Sequence, residues 1–433
     1  PLPSAQRATP MDPADTRAAP RRWLLLSLLM SQAAMVHFNR VSISVAGTEL
    51  FIPEYGLTKT QMGAVYTAYL LAYTLLMLPG GWLIDAWGPR RALLWMGIGS
   101  CVLVPLTGLA GWIHGWSLLA SLLVIRSLLG SVTPPMHPGA ARAVSLWFPV
   151  GQRGWANGMV TATAVLGVVV SPVLFGWLMD AVGWRWAFGV AGIATALVTL
   201  AWALLARDPP AAAGRGVADL SAAGPTTTMG WRELVGHRPL VLLTLGYAAY
   251  SYFQYLFFYW AEDYFLHELG MAKPHARWAT SATLLAMTVG MLAGGVLTDW
   301  TRQHWPGRWG RIAVPIAGMA ASAVFVVLAV AGVGRGMAVA CFALSMATLG
   351  MSEAAFWVTG VELGRRWGGT TGALLNTVGN AGGLVAPVVT PLFADQMGWH
   401  WGLRLAGGLC LLGGLCWLGV AADDRPSQAA PST

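Results

Sequence analysis

Two arginines and one glutamate stand inside long apolar runs of this 433-residue chain: Arg40, Arg126 and Glu353. A charge at the centre of a membrane span costs about 2.5–3.5 kcal/mol on insertion scales, so each needs a reason to be there. Guanidinium binds carboxylate in a planar, bidentate way. An aqueous cavity holding an organic anion would offset both arginines. The competing reading, an arginine bonded to helix carbonyls, applies more to Arg126. An acid buried in a span can exchange its charge for a proton, which makes Glu353 the candidate proton-coupling residue. The competing reading is a structural acid paired with Arg40, Arg126 or a tyrosine of the seventh run. Helical spacing supplies neighbours: His37, Arg40 and Ser44 share one face, and Arg126, Gly130, Thr133 and His137 share another. Tyr66, Tyr69 and Tyr73 line a face of the second run. Tyr247, Ser251, Gln254 and Phe258 line the seventh, with Tyr255 beside them; Asn376, Asn380, Gly383 and Pro387 line the eleventh. Hydroxyls and amides can read a polyol acid. The candidate substrate-binding set is therefore Arg40, Arg126, His37, Tyr69, Tyr73, Gln254, Tyr255, Asn376 and Asn380.

Apolar spans must position these groups. The chain is 56% hydrophobic and only 10% charged, against about 25% charged in soluble domains. Its solvent must be a bilayer. A span needs roughly 20 apolar residues, and twelve such runs fall at about 23–47, 60–84, 92–112, 116–138, 154–179, 185–205, 239–262, 277–300, 311–332, 336–360, 370–395 and 400–421. The fold expected is an all-α integral membrane protein, with twelve transmembrane helices in two pseudo-symmetric six-helix bundles. The domains are a tail at 1–22, a bundle at 23–205, a linker at 206–238, a bundle at 239–421 and a tail at 422–433. The linker is rich in Pro and Gly, including Pro209-Pro210 and Gly214. Met11 reads as the natural start, and the first run as a retained span rather than a signal peptide.

The net charge of +8 does not point to nucleic acid, because the arginines sit in short loops without a basic face. Basic residues crowd the segments on one side, which places both termini in the cytoplasm and the protein in a bacterial inner membrane. Cys101, Cys341, Cys410 and Cys416 lie in apolar runs and read as buried free thiols. No spacing suggests a metal site or cofactor. No nucleophile–base set or nucleotide loop suggests an enzyme.

A loop signature occurs twice, half a chain apart: Gly80-Gly81-Trp82-Leu83-Ile84-Asp85-Ala86-Trp87-Gly88-Pro89-Arg90-Arg91 and Gly294-Gly295-Val296-Leu297-Thr298-Asp299-Trp300-Thr301-Arg302. A second pair, Asp180-Ala181-Val182-Gly183-Trp184-Arg185-Trp186 and Asp395-Gln396-Met397-Gly398-Trp399-His400-Trp401, repeats at nearly the same offset. A membrane chain that repeats at half length is most simply a two-bundle transporter.

Twelve spans, two halves and this signature resemble the major facilitator superfamily over essentially the whole chain. The resemblance implies that Asp85 with Arg90 and Arg91, and Asp299 with Arg302, form a cytoplasmic latch that helps hold an outward-facing state. Ala86 stands where a basic residue is usual, which weakens the first latch. The alternative for these charges is topology alone. Within the superfamily the chain is similar to the anion:cation symporter family of bacterial sugar-acid and organic-anion transporters. The residues concerned are Asn39-Arg40, Arg126-Ser127-Leu128-Leu129-Gly130, Pro138…Arg142…Trp147-Phe148-Pro149 and Gly183-Trp184-Arg185. The segment Ser171-Pro172-Val173-Leu174-Phe175-Gly176 lacks the Gly-Pro pair of drug antiporters. The resemblance also implies where proton-carrying acids stand: just before the first-span arginine, and three residues after the fourth-span glycine. Here Asn39 and Thr133 occupy those places, and neither titrates in a useful range. The internal repeat offers a replacement, since Leu129-Gly130-Ser131-Val132-Thr133 lines up with Leu349-Gly350-Met351-Ser352-Glu353.

The activity expected is secondary active transport of a small organic anion, a sugar acid or other carboxylate, by alternating access with proton symport. The protein would act as a monomer in the lipid bilayer. The alternatives are a uniporter or sodium-coupled carrier, a drug-efflux antiporter, a metal or metallophore transporter using Met35-Val36-His37 and Met136-His137, and a non-transporting sensor.

Overall fold

The computed structural model describes residues 13–112, 117–207, 236–364 and 368–420, and the regular structure among them is entirely helical. The first half holds α1 (Pro13–Ala46), α2 (Lys59–Leu75), α3 (Met77–Gly108), α4 (Leu118–Val132), α5 (Met136–Trp147) and α6 (Val150–Leu205). The second holds α7 (Arg238–Asp263), α8 (Lys273–His304), α9 (Arg308–Ala329), α10 (Arg335–Gly350), α11 (Glu353–Gly364), α12 (Gly368–Met397) and α13 (Trp399–Val420). Helices α1 and α7 each run into a π-helical turn, Gly47–Phe51 and Tyr264–Glu268, so the halves share even this irregularity.

Helices and spans do not correspond one to one. At 1.5 Å per residue, α6 would reach about 84 Å, more than twice the hydrocarbon core. It folds back at Gly183, whose φ of 78° is cheap only for glycine. Gly88, also at φ 78°, breaks α3 inside the repeated loop signature, and Pro89 starts the next limb. Gly398, the repeat partner of Gly183, has φ 88°. Among the described residues, nine helical stretches are long and apolar enough to cross a membrane, one of them the doubled Gly151–Leu205. Its second limb, α1, and α2 with the start of α3 complete the twelve.

Capping explains several starts. The Thr58 hydroxyl accepts from Gln61 N at 3.1 Å while Gln61 Oε1 accepts from Thr58 N at 2.9 Å, a reciprocal box that opens α2. Three spans are broken along their length: at Leu76, at Thr133-Pro134-Pro135, and at Met351-Ser352. The last two fall at the ends of the two segments that the internal repeat aligns, Leu129–Thr133 and Leu349–Glu353. Some sequence boundaries change. Helix α1 begins at Pro13, inside the segment expected to be a tail. The fourth span continues as α5 to Trp147, so Arg142 sits on a helix rather than a loop. Most of the linker, the remaining tails and Met11 lie outside the described residues.

The apolar surface faces outward, as a bilayer solvent requires: Trp82, Leu204 and Val296 are 71%, 69% and 74% exposed. The halves meet along α2 and α12, α6 and α8, and α1 and α7. Gly63 of α2 lies directly on the Pro387 carbonyl of α12, where a Cβ would collide with backbone. Thr67 Oγ1 donates to the Leu384 carbonyl at 2.8 Å beside it.

Candidate functional site

A cavity of about 520 Å³ lies between the halves, and its walls include His37, Arg40, Tyr73, Gln254, Tyr255, Glu353, Asn376 and Asn380. Those are seven of the nine expected binding residues and the expected proton-coupling acid. Arg126 and Tyr69, the other two, stand behind the wall.

Arg40 projects from α1 and is 7% exposed. Its Nε donates to the Tyr259 hydroxyl at 3.4 Å. The rings of Tyr255, Tyr69 and Tyr73 lie 4.7, 5.7 and 5.8 Å from the guanidinium carbon. Its Nη2 is buried with no hydrogen-bond partner among the described residues. Faces of aromatic rings favour a cation, but no carboxylate among the described residues forms an ion pair with it. A cation so placed, beside a cavity, is ready for an anion.

Arg126 is tied off differently. Its Nη1 and Nη2 donate to the carbonyls of Asn39 and Arg40 at 3.1 and 2.6 Å. It clamps α1 at the residue that carries the cavity's guanidinium. Tyr69 joins the same layer, sharing a hydrogen bond with Thr133 Oγ1 at 2.9 Å. Asn39 Nδ2 donates to Thr195 Oγ1 at 2.9 Å, in the second limb of α6.

Glu353 opens α11 on the facing wall, directly after the break in its span. Its Oε1 accepts from the Tyr247 hydroxyl at 2.9 Å and from Trp357 Nε1 at 2.8 Å. Its Oε2 is buried without a partner among the described residues. Nearby, the Tyr255 hydroxyl donates to Asn380 Oδ1 at 2.8 Å, and Asn380 Nδ2 donates to Asn376 Oδ1 at 2.9 Å. Gln254 Nε2 finds only Met287 Sδ, at 3.8 Å, among the described residues. Trp357, Asn157 and Thr161 also line the cavity and were not singled out by sequence. Trp357 was within reach, one helical turn from Glu353.

The ends of the bundles differ. At the end remote from the linker, Arg277 of α8 grips Glu49 through Nε at 2.6 Å and Nη2 at 2.7 Å, and Nη2 reaches Asp180 at 2.9 Å. Lys59 pairs with Asp263 at 2.9 Å close by. These bonds join the halves, and sequence reasoning passed over them. At the linker end, Asp85, Arg91 and Asp299 are exposed. Arg90 Nη2 is 3.5 Å from the Ala203 carbonyl. Arg302 pairs with Glu362 of its own half and donates to Thr359 at 3.0 Å. Among the described residues, the ion pairs that span the halves all lie at the remote end.

Two helical bundles around a polar cavity, bolted together at one end, fit a membrane carrier rather than an enzyme. The chain belongs to the Major Facilitator Superfamily, whose sequence profile matches residues 29–387 and 264–433. It is 30% identical over 389 residues to a probable sulfoacetate transporter of Cupriavidus necator, covering 87% of this chain and 88% of that one. It is 25% identical over 394 residues to a probable galactarate/D-glucarate transporter of Escherichia coli K12, covering 86% and 87%. In fold it matches a crystal structure of a bacterial homologue of the human lysosomal transporter Spinster, with a TM-score of 0.79 at 18% identity over 94% of this chain and 99% of that one. This protein is a multi-pass membrane transporter similar to carriers of sugar acids and other organic anions.

Proposed function

We propose that the protein moves a small organic anion, a sugar acid or comparable carboxylate or sulfonate, across the bacterial inner membrane by alternating access in symport with protons. The observation that carries the reading is Arg40: a buried guanidinium on the cavity wall, ringed by tyrosines, with a nitrogen that has no hydrogen-bond partner among the described residues. A carboxylate is its natural partner. Tyr73, Gln254, Tyr255, Asn376 and Asn380 supply donors and acceptors for hydroxyls of the same ligand. The relatives' names, sulfoacetate and galactarate/D-glucarate transporters, fit that class. Glu353 is the proton carrier in this reading, and Asp85, Arg90, Arg91, Asp299 and Arg302 are the latch that engages when the linker end closes. The excess of basic residues makes the linker end cytoplasmic. The described state is then open inward and bolted outward.

Melting of the purified protein tests the anion reading. Sugar acids and sulfoacetate should raise the melting temperature, and Arg40→Ala should abolish the rise. Stabilisation by organic cations alone would sink it. A uniport or sodium-coupled mechanism is favoured by one observation: Asn39 and Thr133 are engaged in non-titrating hydrogen bonds. Proton uptake measured alongside transport separates it from symport.

A further inference from the structure

We propose that His37 and His137 form a proton-loading pair that receives the second negative group of a dianionic substrate. The proposal rests on the organic-anion reading and names the charge class that the cavity selects. The two imidazoles lie on α1 and α5, with Nε2 to Nε2 at 3.5 Å and ring centroids 5.2 Å apart, edge to face. Both line the cavity.

The backbone fixes how their protons are arranged. His37 Nδ1 is 3.0 Å from the Ala33 carbonyl, which can only accept. Nδ1 therefore carries the proton of that ring, and its Nε2 is an acceptor while the ring is neutral. His137 Nε2–H completes the contact as donor, which leaves His137 Nδ1 to take a further proton. A pair loaded in this way keeps its N–H···N bond, now charge-assisted, and gains a positive charge.

Arg40 decides when loading occurs. It follows His37 by three residues on the same face of α1, so the two cations repel one another. A monoanion is matched by Arg40 alone and leaves the pair neutral. A second negative group beside the histidines offsets the repulsion and brings a proton with it. The surroundings of the pair support this. From α2 comes Tyr73, and from α7 come Tyr247 and Tyr255. From α6 come Asn157 and Thr161, which do not titrate. Helix α3 meets α5 through Leu93 against Gly139. Arg126 of α4 is turned onto the α1 carbonyls. Glu353 of α11 is held on the opposite wall by Tyr247 and Trp357.

Calorimetric titration of the purified protein tests the pair, using ligands matched except for one charge: glucarate with gluconate, and sulfoacetate with acetate. Over about pH 6 to about pH 8 these ligands stay ionised, so a change in their ratio with pH reports a proton taken up by the protein. The affinity ratio of dianion to monoanion should rise as pH falls, by up to about tenfold per unit if one proton enters with the second charge. Dianion binding should show a buffer-dependent heat from proton uptake. In His37→Gln and in His137→Gln the ratio should collapse and lose its pH dependence. A wild-type ratio that is flat with pH overturns the proposal without reference to any variant. So does a ratio that survives both substitutions. If no acid of either pair binds the wild-type protein, the organic-anion reading itself fails, a result distinct from binding without discrimination.

Discussion

Replacing Arg277 with alanine should open the end of the molecule that is remote from the linker. Arg277 is 5% exposed at its side chain and Glu49 is 2% exposed, whereas Asp180 is 56% exposed. Water can rehydrate Asp180 once the guanidinium is gone, so its loss counts for little. Glu49 has no such recourse. It would be left buried beside the acid Glu262, and its remaining cation among the described residues would be Lys273, whose Nζ is 3.9 Å away on a side chain 45% exposed. Breaking a buried pair by removing one partner costs about 3–5 kcal/mol, and the partial compensation that Lys273 still provides argues for the low end. That cost falls only on the closed state, because an open end exposes Glu49 to water. At about 1.4 kcal/mol per decade, 3 kcal/mol shifts the closed-to-open ratio by about 10²-fold. Spin labels at Glu54 and His275, exposed positions on opposite halves at this end, report the separation by pulsed dipolar spectroscopy. Cys101 and Cys416, which are not fully buried, would be replaced first. A long-distance population should dominate in Arg277→Ala, and Arg277→Lys, which keeps the charge but not the two-nitrogen grip on Glu49, should fall between. If Arg277→Ala leaves the distance distribution of the native protein, this cluster is not what holds the end shut.

Two further substitutions separate structural from transported charge. Glu353→Gln keeps an oxygen for Tyr247 and Trp357, so the protein should fold and exchange substrate across liposome membranes, while substrate-driven proton uptake disappears; unchanged uptake means that the proton travels elsewhere. Arg126→Ala removes two charge-assisted bonds to α1 carbonyls, a loss of about 3 kcal/mol, and should lower the melting temperature by roughly 5 °C while weakening anion binding less than Arg40→Ala does. Loss of binding with an unchanged melting temperature would make Arg126 a ligand after all.

The repeats and apolar runs carried the fold because a bilayer leaves few choices: backbone polar groups must be satisfied within each helix, so long apolar runs become spans. The glycine reversals at Gly88 and Gly183 lie inside the two motifs that revealed the duplication. The breaks at Thr133 and Met351-Ser352 were not legible as breaks, although the aligned segments marked them. Periodicity also brought most of the cavity wall to light, since one face of α1, α7 or α12 is a property of spacing alone. Spacing alone put both Arg40 and Arg126 on polar faces; the carbonyl-bonded reading leaned to Arg126, and the approach of α4 to α1 shows where its donors go. The Glu49–Arg277–Asp180 cluster escaped for a similar reason. Its members come from separate spans and looked like ordinary loop charges until the halves were brought together.

The division of charge between the walls gives the proposed symport its logic. Arg40 belongs to the first half and Glu353 to the second, so closing the linker end draws both into a drier space, where uncompensated charge is costly. An empty cavity with Glu353 ionised carries one charge of each sign and can close. A bound monoanion neutralises Arg40; if Glu353 stays ionised, one negative charge is left over and closure is opposed. A proton on Glu353 removes it. A proton without substrate leaves Arg40 alone, and closure is opposed again. Two of four occupancies can therefore cross, empty and doubly loaded, and that is the condition for coupling. A dianion obeys the same rule only if a second cation appears with it. The histidine pair beside Arg40 is placed to provide one.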